Sequence, residues 1–226
     1  MRVSHVVTST ERPLSMVMST SRRRSVVVGS VAALALALGV ASEADAAAAP
    51  ISAPHLSATS ALRSLGALGL LTDLAIQRVL VSDQVAASKF GTGTPIDDPV
   101  REQQELDQVR QRSIGLGLDP NATVRFFANQ INASKIVQRG LFQRWSARPS
   151  EAPTTRPDLG KIRTQLDQLT TELLQQLNAT QHIRRSTLPC SIQRGEARVS
   201  GEIINRLDAL HRRAVDVAVQ SVCSPQ

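Results

Sequence analysis

The residues that could do chemistry are mostly cations and neutral donors. Arg78 and Lys89 are eleven positions apart. On a helix that spacing brings them within about 20° of one face, roughly 16 Å apart along the axis. Asp98, Arg101 and Glu102 follow at i, i+3 and i+4, so they share one face of a helix start. Ser134 and Gln138 form a further i, i+4 pair on the inward side of an apolar helix. Polar residues there need partners. Such a set could line a pocket that holds an anion. Each member alone also has an ordinary account: solvated cations, a cap with a local ion pair, or interhelical hydrogen bonding.

Other chemistries lack their residues. The sequence has no GxSxG, no HExxH and no phosphate-cradling glycine loop. His5, His55, His182 and His211 show no metal-ligand spacing, so neither a metal nor a cofactor is expected.

The elements that must position this set are helical. The chain has 226 residues with only 2% aromatics, so a core must come from Leu, Ile, Val and Ala. No sustained period-2 run is present. Apolar spacing predicts a first helix from Ser60 to about Ser88, through Leu62, Leu65, Leu68, Leu71, Ala75 and Val79. Gly91 and Gly93 then interrupt the pattern. Thr94-Pro95 and Asp98-Pro99 each read as a cap with proline at the first helical position, and Asp119-Pro120 caps the next helix. Asp98-Pro99 and Asp119-Pro120 start helices reaching about Ile114 and Trp145. Residues 146–158 are a polar, proline-rich linker. Asp158 caps a fourth helix carrying Ile162, Leu166, Leu169, Leu173 and Leu177, and Pro189 ends that region. A last helix is expected from about Gly195 to Val222, with Ile203, Leu207, Leu210, Ala214 and Val217 inward. The expectation is a single all-α domain of five to six helices over 59–226.

The N-terminus reads as an address. Arg22 to Arg24 precede an apolar run from Val26 to Ala41, and Ala44-Asp45-Ala46 supplies a small-x-small cleavage site. This is a secretory signal over 1–46, cleaved near Ala46, with a flexible lead over 47–58. Arg23-Arg24 also fits twin-arginine export. The product is secreted or periplasmic, with no membrane association after cleavage. Only Cys190 and Cys223 occur, and an even pair in an exported chain predicts a disulfide. The signal holds five arginines against three acids, so about +5 of the total +7 stays with the rest. That charge is spread out and has no aromatic platform, which argues against nucleic acid as partner.

The series Arg78-x10-Lys89-x8-Asp98-x2-Arg101-Glu102, followed by Ser134-x3-Gln138, resembles the all-helical chorismate mutases. The resemblance runs from Ala61 to Cys223. "TPIDDPVRE" and "LDPNATVRFFANQINASKIVQ" carry it, and the secreted branch is similar also in Trp145, the linker, Asp158-Leu159 with Arg163, and the two cysteines. The resemblance implies an isomerase that rearranges chorismate to prephenate without nucleophile, metal or cofactor. It implies that Arg78 and Arg163 bind the two carboxylates. Lys89 and Gln138 would donate to the ether oxygen, and Glu102 would accept from the ring hydroxyl. Asp98, Arg101 and Ser134 would complete the shell. With Arg163 on the same chain, each site would be complete within one protomer of a homodimer. Secreted relatives often carry glutamate at the position of Gln138, so turnover here should not require acid. The competing expectation is a secreted helical protein that keeps the fold and binds an anionic small molecule without turnover.

Overall fold

The structure is a computed structural model and describes residues 63–223. The signal over 1–46, the lead over 47–58 and the expected helix start at Ser60 lie outside the described residues. Within them the chain forms seven α-helices: α1 (Gly69–Lys89), α2 (Pro99–Gly115), α3 (Pro120–Ala147), α4 (Leu159–Ala179), α5 (Gln181–Arg184), α6 (Thr187–Ile204) and α7 (Ala209–Val219). A 3-10 turn, Pro149–Glu151, follows α3. The all-α expectation holds, with more helices than the five to six expected.

Four of these helices start on an aspartate. Asp98 Oδ1 accepts from Arg101 N at 3.1 Å, and Asp119 Oδ1 from Ala122 N at 2.6 Å. Asp158 Oδ1 accepts from Gly160 N at 2.6 Å, and Asp208 Oδ1 from His211 N at 2.9 Å. Each cap satisfies an otherwise unpaired amide and contributes about 1 kcal/mol. Pro99 and Pro120 fill the first helical position, where a missing N–H costs nothing, whereas Thr94-Pro95 starts no helix because the chain is still in the loop that Gly91 and Gly93 open.

α1 is the central helix. Leu71, Leu74, Ala75, Ile76, Val79, Val81 and Ala86 are all buried, and they point to more than one side. It packs against α3, α4, α6 and α7, while α3 also packs against α2 and α7. The scarce aromatics pair up. Phe126 and Phe127 meet edge to face at 5.3 Å. Phe90, just past α1, sits 5.3 Å from Phe142 and 5.2 Å from Trp145. This contact fixes where α1 stops.

Three expectations about boundaries need correction. α1 begins at Gly69, and Leu65, read as inward, is exposed. Residues 64–68 instead fold back over the first turn. Ser64 donates its amide to Asp73 Oδ2 at 3.1 Å and its hydroxyl to the same carboxylate. A Cβ on Gly69 would lie 2.1 Å from Ser64 O, so only glycine fits there. Second, Pro189 opens rather than closes an element: it lies in the first turn of α6, where its missing N–H has no intrahelical partner to lose. Third, the expected last helix is two. Arg206 at φ 50° breaks it, and Asp208 caps the restart. Ile203 had seemed part of a continuous inward stripe, but it is exposed.

Cys190, in the first turn of α6, is bonded to Cys223 after α7, with Cα atoms 5.7 Å apart. The expected disulfide is present. No described helix is long and apolar enough to cross a membrane.

Candidate active site

α1 to α4 surround a cavity of about 210 Å³. Arg78, Lys89, Asp98, Arg101, Glu102, Ser134, Gln138 and Arg163 all line it. The sequence had separated these residues by up to 85 positions. Val85, Ile131, Leu159, Ile162 and Leu166 form its apolar wall.

Arg78 is buried at the middle of α1, where four helices meet. Its Nη1 donates to Leu166 O at 3.1 Å and to Thr170 Oγ1 at 2.8 Å, both on α4. Its Nη2 donates to Glu105 Oε1 on α2. The guanidinium carbon lies 5.8 Å from the centre of the Phe127 ring on α3. Such a buried charge is tolerated because it is paired with a carboxylate and three of its donors are used.

Lys89 is the last residue of α1. Gly91 at φ 71° and Gly93 at φ 77° then turn the chain back, a conformation most side chains avoid. The returning strand of loop places two carbonyls on the ammonium: Nζ donates to Pro95 O at 2.9 Å and Ile96 O at 3.4 Å. Burial pushes the Lys89 amine below its ordinary range, and Asp98 and Glu102 partly offset this.

Asp98 and Glu102 together cap the N-terminus of α2, the Asp98 carboxylate accepting from Arg101 N and the Glu102 carboxylate reaching back to the Asp98 amide. Glu102 Oε1 accepts from Asp98 N at 3.1 Å, and Glu102 Oε2 accepts from Lys135 Nζ at 2.6 Å. Lys135 Nζ also lies 3.2 Å from Asp97 Oδ1. Burial opposes charge on Lys135, but these two carboxylates win and hold its amine above the ordinary lysine range. Arg139 donates to both Asp97 oxygens at 2.7 Å, and with Lys135 keeps that exposed carboxyl below its usual range.

On α3, Gln138 Nε2 donates to Ser134 Oγ at 3.0 Å, which links the i, i+4 pair across one turn. Gln138 Oε1 is buried without a partner among the described residues. Arg101 and Arg163 are exposed at the rim of the cavity.

Sequence reasoning missed Glu105, Lys135 and Gln130, which line the same cavity. Glu105 carried a signal: it falls at i+7 from Asp98, on the same face of α2. Lys135 carried none, because its partners belong to another helix. Gln130 donates to Ala218 O at 2.9 Å, and its buried Oε1 has no partner among the described residues. Among the described residues no cluster of His, Cys, Asp or Glu could hold a metal ion.

A family model described as chorismate mutase type II matches residues 70–139. The secreted chorismate mutase of Mycolicibacterium smegmatis is 33% identical over 184 residues, covering 81% of this chain and 99% of the relative. The chain belongs to the chorismate mutase family. The secreted chorismate mutase of Mycobacterium tuberculosis is 32% identical over 157 residues, covering 69% of this chain and 78% of the relative. Among solved structures, the chorismate mutase of Burkholderia phymatum is 34% identical with a TM-score of 0.66, covering 70% of this chain and 96% of that one. The Burkholderia thailandensis chorismate mutase gives the same identity and TM-score. The chorismate mutase fold, the all-helical architecture and the secreted character of this chain agree with one another.

Proposed function

We propose that the cavity between α1 and α4 is where this isomerase rearranges chorismate to prephenate. The observation that carries the reading is the convergence of all eight residues on one cavity with five cationic side chains and three carboxylates in its lining. That balance is +2, which matches a dianionic substrate.

The reaction is intramolecular. The protein must hold the substrate in a compact reactive shape and stabilise charge at the breaking C–O bond. Arg78 and Arg163 take one carboxylate each, guanidinium forks being suited to that geometry. Lys89 and Gln138 donate to the ether oxygen, where negative charge develops. Glu102 accepts from the ring hydroxyl, and Asp98, Arg101 and Ser134 orient these groups. Fixed donors of this kind need no reorganisation during the reaction. Arg163 comes from the same chain as the rest, which supports a site complete within one protomer. The test is to add chorismate to oxidised residues 47–226 and follow loss of its ultraviolet absorbance with formation of prephenate. Turnover that disappears in Arg78→Ala and Lys89→Ala is expected. No turnover from the folded, oxidised chain would leave a carboxylate-binding protein on this scaffold.

Two further points belong to this reading. The exported protein starts after Ala46, so mass spectrometry of the exported chain should give an N-terminus at Ala47. The protein is also a homodimer. Supporting this is an exposed apolar row on α6, Leu188, Ile192, Val199 and Ile203. Light scattering should return twice the chain mass, and Ile192→Glu with Ile203→Glu should return the single mass. A single mass for the parent chain would refute the dimer.

A further inference from the structure

Arg78 has five N–H donors, and three are spent. Both hydrogens of Nη1 go to Leu166 O and Thr170 Oγ1, and one of Nη2 goes to Glu105 Oε1. The edge formed by Nε and Nη2 is the one still able to take a carboxylate side-on. Glu105 Oε1 already accepts from Nη2, one of the two nitrogens of that edge. It does so from α2, inside the cavity lining, with its side chain about one-third exposed.

We propose that Glu105 is a resident substitute for one substrate carboxylate and lowers the affinity of the empty cavity for any carboxylate that reaches Arg78. The proposal deepens the reading of the cavity given above and rests on it. In the empty site Glu105 keeps the buried Arg78 paired, where an unpaired buried charge would be costly. A ligand carboxylate reaching Arg78 side-on must compete with Glu105 for Nη2. For a monocarboxylate this swap is nearly level: one carboxylate replaces another, and the displaced Glu105 remains nearby as a repelling charge. A dianion gains more, because its second carboxylate reaches Arg163. That arginine lines the same cavity, is exposed, and spends no side-chain hydrogen bond on another described residue. The preference for a dianion therefore comes from Arg163, while Glu105 lowers affinity for carboxylates in general.

Glu105 acts through Arg78, so it is a positioning residue. Glu105→Gln keeps the shape and an acceptor for Arg78 but removes the charge. The experiment has two arms, run on the oxidised chain with Glu105→Gln and Glu105→Ala, each checked for folding by circular dichroism. In the binding arm, calorimetry compares cyclohexane-1,2-dicarboxylate with cyclohexanecarboxylate. Both variants should bind both acids more tightly than the parent, and the dicarboxylate, with twice the charge, should gain at least as much as the monocarboxylate. In the kinetic arm, KM for chorismate should fall about five- to tenfold, as expected for removing one like charge from a partly buried site. kcat should change less than twofold. A merely structural Glu105 would give the opposite: higher KM, lower kcat and weaker binding of both acids. That result, or unchanged binding, would overturn the proposal. The arms also separate the two claims. Improved carboxylate binding in a parent without turnover would sink the mutase reading and leave the role of Glu105 standing.

Discussion

Gln138 Nε2 lies 3.0 Å from Ser134 Oγ, one turn earlier on the same helix. The carboxamide is thereby oriented with its second N–H free of Ser134. A glutamate in that place could donate only when protonated. The parent should therefore lack an acidic optimum, and Gln138→Glu should acquire one. The check is kcat/KM for chorismate between pH 4 and 8. The substitution should leave activity near the parent's at the acid end and cost about 100-fold or more at neutral pH, the usual scale for losing one such donor. An identical profile in both proteins would sink the argument.

Lys89 is held by two loop carbonyls rather than by a carboxylate. It can turn to a ligand oxygen without breaking an ion pair. Lys89→Met should lower kcat about 100- to 1,000-fold while leaving the thermal midpoint within a few degrees of the parent's. Because burial lowers the amine's pKa, the alkaline limb of the parent's pH profile should begin below the ordinary lysine value of 10.5. A limb at or above that value would show that burial does not lower the Lys89 amine in the working site.

His211 bridges two carboxylates, with Nε2 2.9 Å from Asp83 Oδ1 and Nδ1 2.7 Å from Asp208 Oδ1. The pair ties α7 to α1. Asp83 first, and then Asp208, raises the imidazole to about 8 against the effect of burial. A raised folded value means that the contribution is complete below about pH 6.5 and is lost as pH climbs through 8. With both carboxylates nearly half exposed, the loss is about 1 kcal/mol after allowing for solvent screening. Asp208 is depressed to about 2, so its own contribution is present above the ordinary carboxyl value and fades as pH falls toward 2. Unfolding free energies from urea titrations at pH 6 and pH 9 should differ by that amount in the parent and coincide in His211→Asn.

Breaking the Cys190–Cys223 bond opens a loop with a sequence separation of 33 residues. In the chain-entropy account this costs about 3–4 kcal/mol. The double Cys→Ser variant should melt at markedly lower temperature. Neither cysteine lines the cavity, so turnover at 25 °C should stay close to the parent's. Loss of turnover in a variant that is still folded would show that α6 and α7 shape the site more than their position suggests.

What the sequence disclosed follows from the range of each interaction. The starts of α2, α3 and α4 were legible, because Asp98-Pro99, Asp119-Pro120 and Asp158 act on amides two or three residues away. The break between α6 and α7 was not. The apolar spacing from Ile203 to Val217 continues across it, and only Arg206's backbone shows the interruption. The fold-back of Ser64 onto Asp73 hid the start of α1, since glycine-rich turns can extend a helix or reverse it. In the site, Arg78, Lys89 and the Asp98 to Glu102 group were legible from local spacing, and their grouping came from resemblance. Glu105 on Arg78 and Lys135 on Glu102 join different helices, and no local pattern encodes such a pairing.

The cavity's surplus of two positive charges bears on how this protein is assayed. An empty site of that kind does not wait for its substrate alone. Phosphate, sulfate and citrate are multivalent anions that can occupy the same guanidinium edges. In such buffers the apparent KM should rise with buffer concentration while kcat stays constant. Constants measured in a monovalent amine buffer will then be lower in KM than those measured in phosphate, at equal pH and ionic strength.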